Sequence, residues 1–158
     1  MIFIPKPQTG IGGPQTFVKN LRAAFKSARV PFTNWHICSK GILFPVQYPR
    51  VVLKLYQFLG YPIFQRLDGV FYPERNGSHY QELNKVPKAI YNHDVSHIIY
   101  QSLYSKKQCQ EMFGETKAVN EAIIRNGALK ALFNPVGRNI TVDETNNIYL
   151  VITGKIRH

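Results

Sequence analysis

Residues 1–29 read MIFIPKPQTGIGGPQTFVKNLRAAFKSAR, and the hydrophobic period changes once within them. Met1 to Ile4 is a short apolar run suited to a buried strand, and the turn Gly10-Ile11-Gly12-Gly13-Pro14 follows it. Beyond the turn, Phe17, Leu21, Ala24, Phe25 and Ala28 recur on one helical face, while Lys19, Arg22, Lys26 and Arg29 fall largely outside it. Pro14 suits a first helical turn, where its missing N–H has no intrahelical partner to lose. A strand, a glycine turn and a helix in this order open an α/β unit.

The same alternation continues downstream. Apolar, β-branched runs predict further strands at 33–37, 42–46, 62–67, 97–101, 122–125 and 148–153. Between them, 49–59 carries Val52, Leu55, Tyr56 and Leu59 at helical spacing, with Gly60 to close the helix. Residues 78–93 predict a helix broken near Pro87, which cannot donate into a helix interior. A further helix spans about 104–113, capped by Ser102 and ended by Gly114. The expected fold class is α/β, a Rossmann-like open and mostly parallel sheet flanked by helices. The one polar, linker-like stretch is 137–147.

The chain has 158 residues, 44% of them apolar, which suffices for one core without covalent staples, because a domain of about 150 residues buries about 70% of its extended-chain surface. Cys38 and Cys109 show neither CxxC spacing nor a nearby ligand pattern, so buried reduced thiols are expected. Pro5 and Pro7 cut the first apolar run too short for a signal-peptide core, and no apolar stretch approaches the length of about 20 residues that spans a bilayer. The expected location is cytoplasmic, in solution or peripherally on an anionic membrane surface. The net charge of +11 is unevenly placed. Residues 1–67 hold nine cations (Lys6, Lys19, Arg22, Lys26, Arg29, Lys40, Arg50, Lys54, Arg66) and no acid, whereas 68–158 hold eleven cations and nine acids. Such a field attracts nucleic acid, anionic lipid head groups or phosphorylated sugars, and charge by itself does not choose among them.

Four motifs sit where chemistry is possible. The Gly12-Gly13 turn, before a helix N-terminus, frees backbone N–H groups for a phosphate, yet it lacks the full G-x-G-x-x-G spacing and equally fits a plain tight turn. Arg66 and Asp68 end a predicted strand, where ligands of open α/β sheets gather; they serve either sugar hydroxyls and phosphate or an ion pair that shapes the turn at Gly69. Ser102 reads first as a helix cap, with Gln101 beside it at the same edge. Asn126-Gly127 reads as a turn that can aim backbone toward a cleft. The histidines at 36, 79, 93, 97 and 158 are scattered, and no metal site is expected. The aromatics that interleave with cations fall mostly at core positions, so no specific nucleic-acid site is expected.

Taken in order, GIGGPQTFVKNLRAAF (10–25), IFQRLDGVFYPERNG (63–77), ELNKVPKAIYNHDVSHIIYQSLYSKKQCQEMFG (82–114) and IIRNGALKALFNP (123–135) resemble the N-terminal domain of the retaining GT-B glycosyltransferases, a family with many polysaccharide and cell-surface enzymes. The last residues, IYLVITGKIRH (148–158), look like the first strand of that family's second, nucleotide-binding domain. The resemblance implies an acceptor-side domain over 1–146 and, at 147–158, a linker and the start of a C-terminal donor-binding domain whose remainder is missing. It implies sugar transfer from a nucleotide-sugar donor to a glycan or lipid-linked acceptor, with retention, no essential metal and negligible turnover by this half alone. Carried over by motif, Gly12, Gly13 and Arg157 would meet the donor diphosphate and Asp68 would be catalytic. Arg66, Gln101 and Ser102 would line the acceptor side, and Asn126 and Gly127 would form cleft backbone. Many relatives place a histidine near the strand end that here holds Arg66-Leu67-Asp68. The competing expectation is a basic module that binds nucleic acid or an anionic membrane through the acid-free first 67 residues.

Overall fold

The structure, a computed structural model, describes residues 1–7 and 13–126. Among the described residues, six strands form one wholly parallel sheet: β1 (Ile2–Phe3), β2 (Phe32–Thr33), β3 (Ile42–Pro45), β4 (Ile63–Leu67), β5 (His97–Tyr100) and β6 (Asn120–Ile123). Their spatial order is β2-β1-β3-β4-β5-β6. The helices are α1 (Gly13–Ser27), α2 (Arg50–Phe58), α3 (Pro73–Asn76), α4 (Tyr80–His93) and α5 (Leu103–Phe113), with 3-10 turns at His36–Cys38 and Gly77–His79. The chain is thus α/β, with a Rossmann-like open sheet.

The path explains where a crevice must lie. From β1 the chain steps outward to β2, passes back beyond β1 to β3, then continues the other way through β4, β5 and β6. Crossovers between parallel strands are right-handed, so this reversal puts α1 on one face and α2, α4 and α5 on the other. Connections from β1 and β3 leave on opposite faces, which parts the chain between their C-terminal ends.

Burial follows the strand alternation. On the α2 and α4 face, Phe3, Ile42, Phe44, Leu53, Tyr56, Ile63 and Ile90 form one core cluster. Leu67, Tyr91, Ile98, Tyr100, Cys109 and Phe113 form a second, toward α5. Each fully buried side chain of this kind contributes about 1.5–3 kcal/mol. Along β4, Gln65 bonds Val46 and Pro87 carbonyls and Leu67 joins the second cluster, while Arg66 between them lies against Phe17 of α1.

Several expectations need correction. The run 33–37 is strand only at its start; His36–Cys38 turns instead, where hydrogen bonds to Tyr48 and Tyr56 hold the His36 ring. Helix α4 runs unbroken through Pro87. An interior proline costs about 3 kcal/mol, but here its ring is buried on the face that also carries Asn84, Ile90 and Tyr91. The last described strand begins at Asn120, two residues before the expected 122, because pairing with His97–Tyr100 fixes its register and its exposed edge has no apolar alternation to mark it. Cys109 is buried, and burial pushes its thiol up to about 12, whereas Cys38 is exposed. The expected strand at 148–153, the linker at 137–147 and the boundary at 146 lie outside the described residues.

Two polar clusters hold α2 in place. Asp94, fully buried at the end of α4, accepts hydrogen bonds from Arg50 and is bridged by Lys54 at 2.8 Å. Burial pushes its carboxyl up, but hydrogen bonds and charge from Arg50 and Lys54 outweigh that and hold it below the usual value. The second cluster has a fixed sense. Ser39 donates its proton to the His36 carbonyl at 2.7 Å, so Tyr56 must donate to Ser39. His36 Nδ1–H then donates to Tyr56 at 3.1 Å, and bare Nε2 accepts from the Tyr48 hydroxyl at 3.1 Å. The ring stacks on Phe3 with centroids 3.9 Å apart.

Asp94→Ala leaves two cations without their carboxylate, and urea titration should show a loss of about 2 kcal/mol. Burial lowers the His36 pKa from its ordinary 6.5, so the folded state favours neutral imidazole. Stability from this group is full above about pH 6.5 and falls as pH drops toward the folded-state value. Urea midpoints measured between pH 7.5 and 5 should fall in the wild type, and His36→Gln should flatten that part of the profile.

Candidate functional site at the carboxyl edge of the sheet

The C-terminal ends of β1 and β3 and the first turn of α1 enclose a cleft of about 900 Å³. Its walls are Pro5 and Lys6 after β1, Pro14, Gln15 and Val18 of α1, Pro45 to Arg50 after β3, and Phe71 and Val86 from beyond β4. This is the place where the strand order reverses, the usual ligand position in open α/β sheets. The lining is largely apolar, with Lys6 and Arg50 as cations and Gln15, Gln47 and Tyr48 as polar groups.

One backbone feature of the cleft is strained. Val46 has φ of 56°, a left-handed conformation that a β-branched side chain rarely adopts. Hydrogen bonds from two sides hold it there. Its N–H donates to the Arg66 carbonyl at 2.8 Å, and its carbonyl accepts from Gln65 Nε2 at 2.7 Å. Such strain costs on the order of 1–3 kcal/mol and persists where the surroundings over-determine it.

On the other side of the α1 N-terminus lies a polar cluster built around Arg66. Its guanidinium is 1% exposed. It donates to Asp68 and to the Asn126 side-chain oxygen, and it lies over the Phe17 ring at 3.8 Å. Burial pushes the Arg66 pKa down, opposed by the charge of Asp68 and the hydrogen bond to it. Among the described residues, Arg66 Nε has no hydrogen-bond partner. Asp68 uses Oδ1 for Arg66, while Oδ2 faces the start of α1: a Cβ placed on Gly13 would lie 3.6 Å from it. The carboxylate therefore has one oxygen bonded to the guanidinium and one turned toward a helix N-terminus.

Of the residues singled out from sequence, Gly13, Arg66, Asp68 and Asn126 come together here. Arg66 is not at the cleft surface; it is buried and links β4 to α1 and to the chain that follows β6. Ser102 Oγ accepts from the Ser105 N–H, and the Ser102 N–H donates to Ser105 Oγ, a complete capping box that commits the Ser102 hydroxyl to α5. Gln101 bonds through its N–H to the Leu67 carbonyl, which aligns the β5 end with β4. Gly12, Gly127 and Arg157 lie outside the described residues. Lys6, Gln47, Tyr48 and Arg50 were not singled out, because a site made by strand order has no contiguous signature; only the order β2-β1-β3 brings their loops together.

Comparison with known protein families, curated proteins and solved structures finds no match to this chain. Among the described residues, no helix is long and apolar enough to cross a membrane.

Arg66 donates to two acceptors and lies over an aromatic ring at once, which a lysine ammonium cannot do. Arg66→Lys should lower stability by about 2–3 kcal/mol in chemical denaturation. Phe17→Ala in the Arg66→Lys background should cost less than in the wild type, a non-additivity that a double-mutant cycle reads directly.

Proposed function

We propose that this chain forms the acceptor-side wall of a retaining, nucleotide-sugar-dependent glycosyltransferase of the GT-B type. The observation that carries the reading is that Asp68 faces Gly13 at the N-terminus of α1, whose next residues, Pro14 and Gln15, line a cleft of about 900 Å³ at the reversal of strand order. The motif order along the chain supports it, since two of the segments that resemble the family supply Gly13 and Asp68.

The chemistry of sugar transfer asks for such an arrangement. As the nucleoside diphosphate departs, negative charge grows on it while the sugar becomes oxocarbenium-like. Preorganised N–H donors and cations must face the leaving group, and an acceptor hydroxyl must be aimed at the anomeric carbon. In this reading Asp68 Oδ2, the oxygen that faces Gly13, accepts a hydrogen bond from the acceptor and orients it. Lys6 and Arg50 hold anionic parts of the substrate, and the α1 N-terminus faces the diphosphate. Arg66 acts as a positioning residue, fixing Asp68 through Oδ1. The nucleotide sugar is a substrate, and the opposing wall belongs to a second nucleotide-binding domain.

The test is ligand binding by saturation-transfer NMR, with UDP- and GDP-hexoses and with glucose-, galactose- and mannose-terminated oligosaccharides as probes. An acceptor saccharide should bind weakly, with Kd on the order of millimolar. Gly13→Ala puts a methyl in ordinary contact with Asp68, so it should leave the melting temperature unchanged while reducing the saccharide signal. Asp68→Asn should reduce that signal as well. Absence of binding to every probe, or binding indifferent to both substitutions, overturns the reading.

A further inference from the structure

Helix α2 is apolar on both sides. Leu53 and Tyr56 face the core and are buried, as an amphipathic surface helix requires. At 100° per residue the opposite side carries Val51, Leu55 and Phe58, which are 78%, 53% and 87% exposed. Leu59 extends the stripe, and Arg50 and Lys54 flank it. The turn His36–Cys38 is bonded to α2 through the Tyr56 hydroxyl; Trp35, just before it, and Ile37, within it, are 72% and 96% exposed. Single exposed leucines are ordinary on a protein surface. A stripe of three on one helix, with a tryptophan and an isoleucine on the adjoining turn, calls for a partner.

We propose that this face docks onto an anionic lipid bilayer, with α2 lying in the plane of the interface. Charge selects the occupant. The stretch that builds the face, residues 35–59, holds three cations (Lys40, Arg50, Lys54) and no acid. A second copy would bring the same positive field against this one and be repelled. Around α2, Arg50 and Lys54 share the single carboxylate of Asp94, so the flank stays net positive. A bilayer with anionic head groups meets both requirements. Its acyl boundary takes Val51, Leu55 and Phe58, its head-group layer suits the indole of Trp35, and its surface potential attracts the cations. With nine residues in α2, binding is modest and reversible and weakens with salt. This inference does not depend on the sugar-transfer reading.

Trp35 is the sole tryptophan, so its emission reports on this face without labelling. The full chain is mixed with vesicles of phosphatidylcholine alone and with vesicles containing about a third phosphatidylglycerol. Sedimentation with the anionic vesicles, a blue shift of Trp35 emission, and loss of both at 0.5 M salt or with neutral vesicles are expected. Leu55→Ser with Phe58→Ser should weaken vesicle binding by about tenfold or more while far-UV circular dichroism and melting stay as in the wild type, since both side chains are exposed. The proposal fails if anionic vesicles neither sediment the protein nor shift Trp35, or if the double variant binds as tightly as the wild type. It also fails if the same substitutions instead abolish a self-associated species seen by analytical ultracentrifugation, which assigns the face to a second copy.

Discussion

The guanidinium of Arg66 is the joint on which this carboxyl edge turns. A buried cation is costly in a low-dielectric interior, so it persists only where its donors are met by well-placed acceptors. Asp68, Asn126 and the face of Phe17 meet it from three segments: the loop after β4, the chain beyond β6, and α1. Because Asp68 spends Oδ1 on Arg66, its second oxygen is aimed at the α1 N-terminus rather than left to rotate. The Arg66 carbonyl, through the Val46 N–H, also helps fix the strained corner of the cleft. One side chain and its own backbone thus set both the polar cluster and one wall of the cavity beside it.

The fold was legible because it is written in local patterns. The apolar runs at β1, β3, β4 and β5 are short and bounded, and the helical stripe of α1 and the glycine ends of α2 and α5 mark their neighbours. Where local pattern and tertiary demand disagree, the reading failed. Pro87 argues for a break, but the ring sits on the buried face of α4, and packing there offsets the lost hydrogen bond. The segment after Thr33 is apolar enough for a longer strand. It turns because His36 is drawn under α2 by Tyr48 and Tyr56. β6 is exposed throughout, so its boundaries came from pairing rather than from its own residues.

The site was legible to a different degree. Arg66 and Asp68 stood out because they end a strand, and strand ends are where ligands collect in open sheets. What sequence leaves open is the partner of each. An ion pair between Arg66 and Asp68 and a ligand-facing Asp68 looked like rival readings, and the geometry allows both, one oxygen for each. The contact of Arg66 with Asn126 spans sixty positions and carries no local trace. Lys6, Tyr48 and Arg50 belong to the cleft by virtue of strand order alone, a property of the assembled sheet.

Helix α2 joins the two surfaces proposed for this chain. Pro49 and Arg50 at its N-terminus line the cleft, and Val51, the next residue, begins the exposed apolar stripe. The rim of the cleft and the docking face are therefore adjacent along one rigid element. Asp94 fixes that element from below by holding Arg50 and Lys54, and Tyr56 ties it to the turn that presents Trp35 and Ile37. On the proposed readings, a bilayer under α2 would bring anionic head groups and any lipid-linked sugar to the rim of the cleft that Lys6 and Arg50 line. Diffusion in the membrane plane would then replace capture from solution, and a weak cleft would be enough, because the surface itself raises the local concentration of the acceptor. The same acid-free segment would serve both purposes, since the field that draws the protein to an anionic surface is the field that lines the mouth of its cleft.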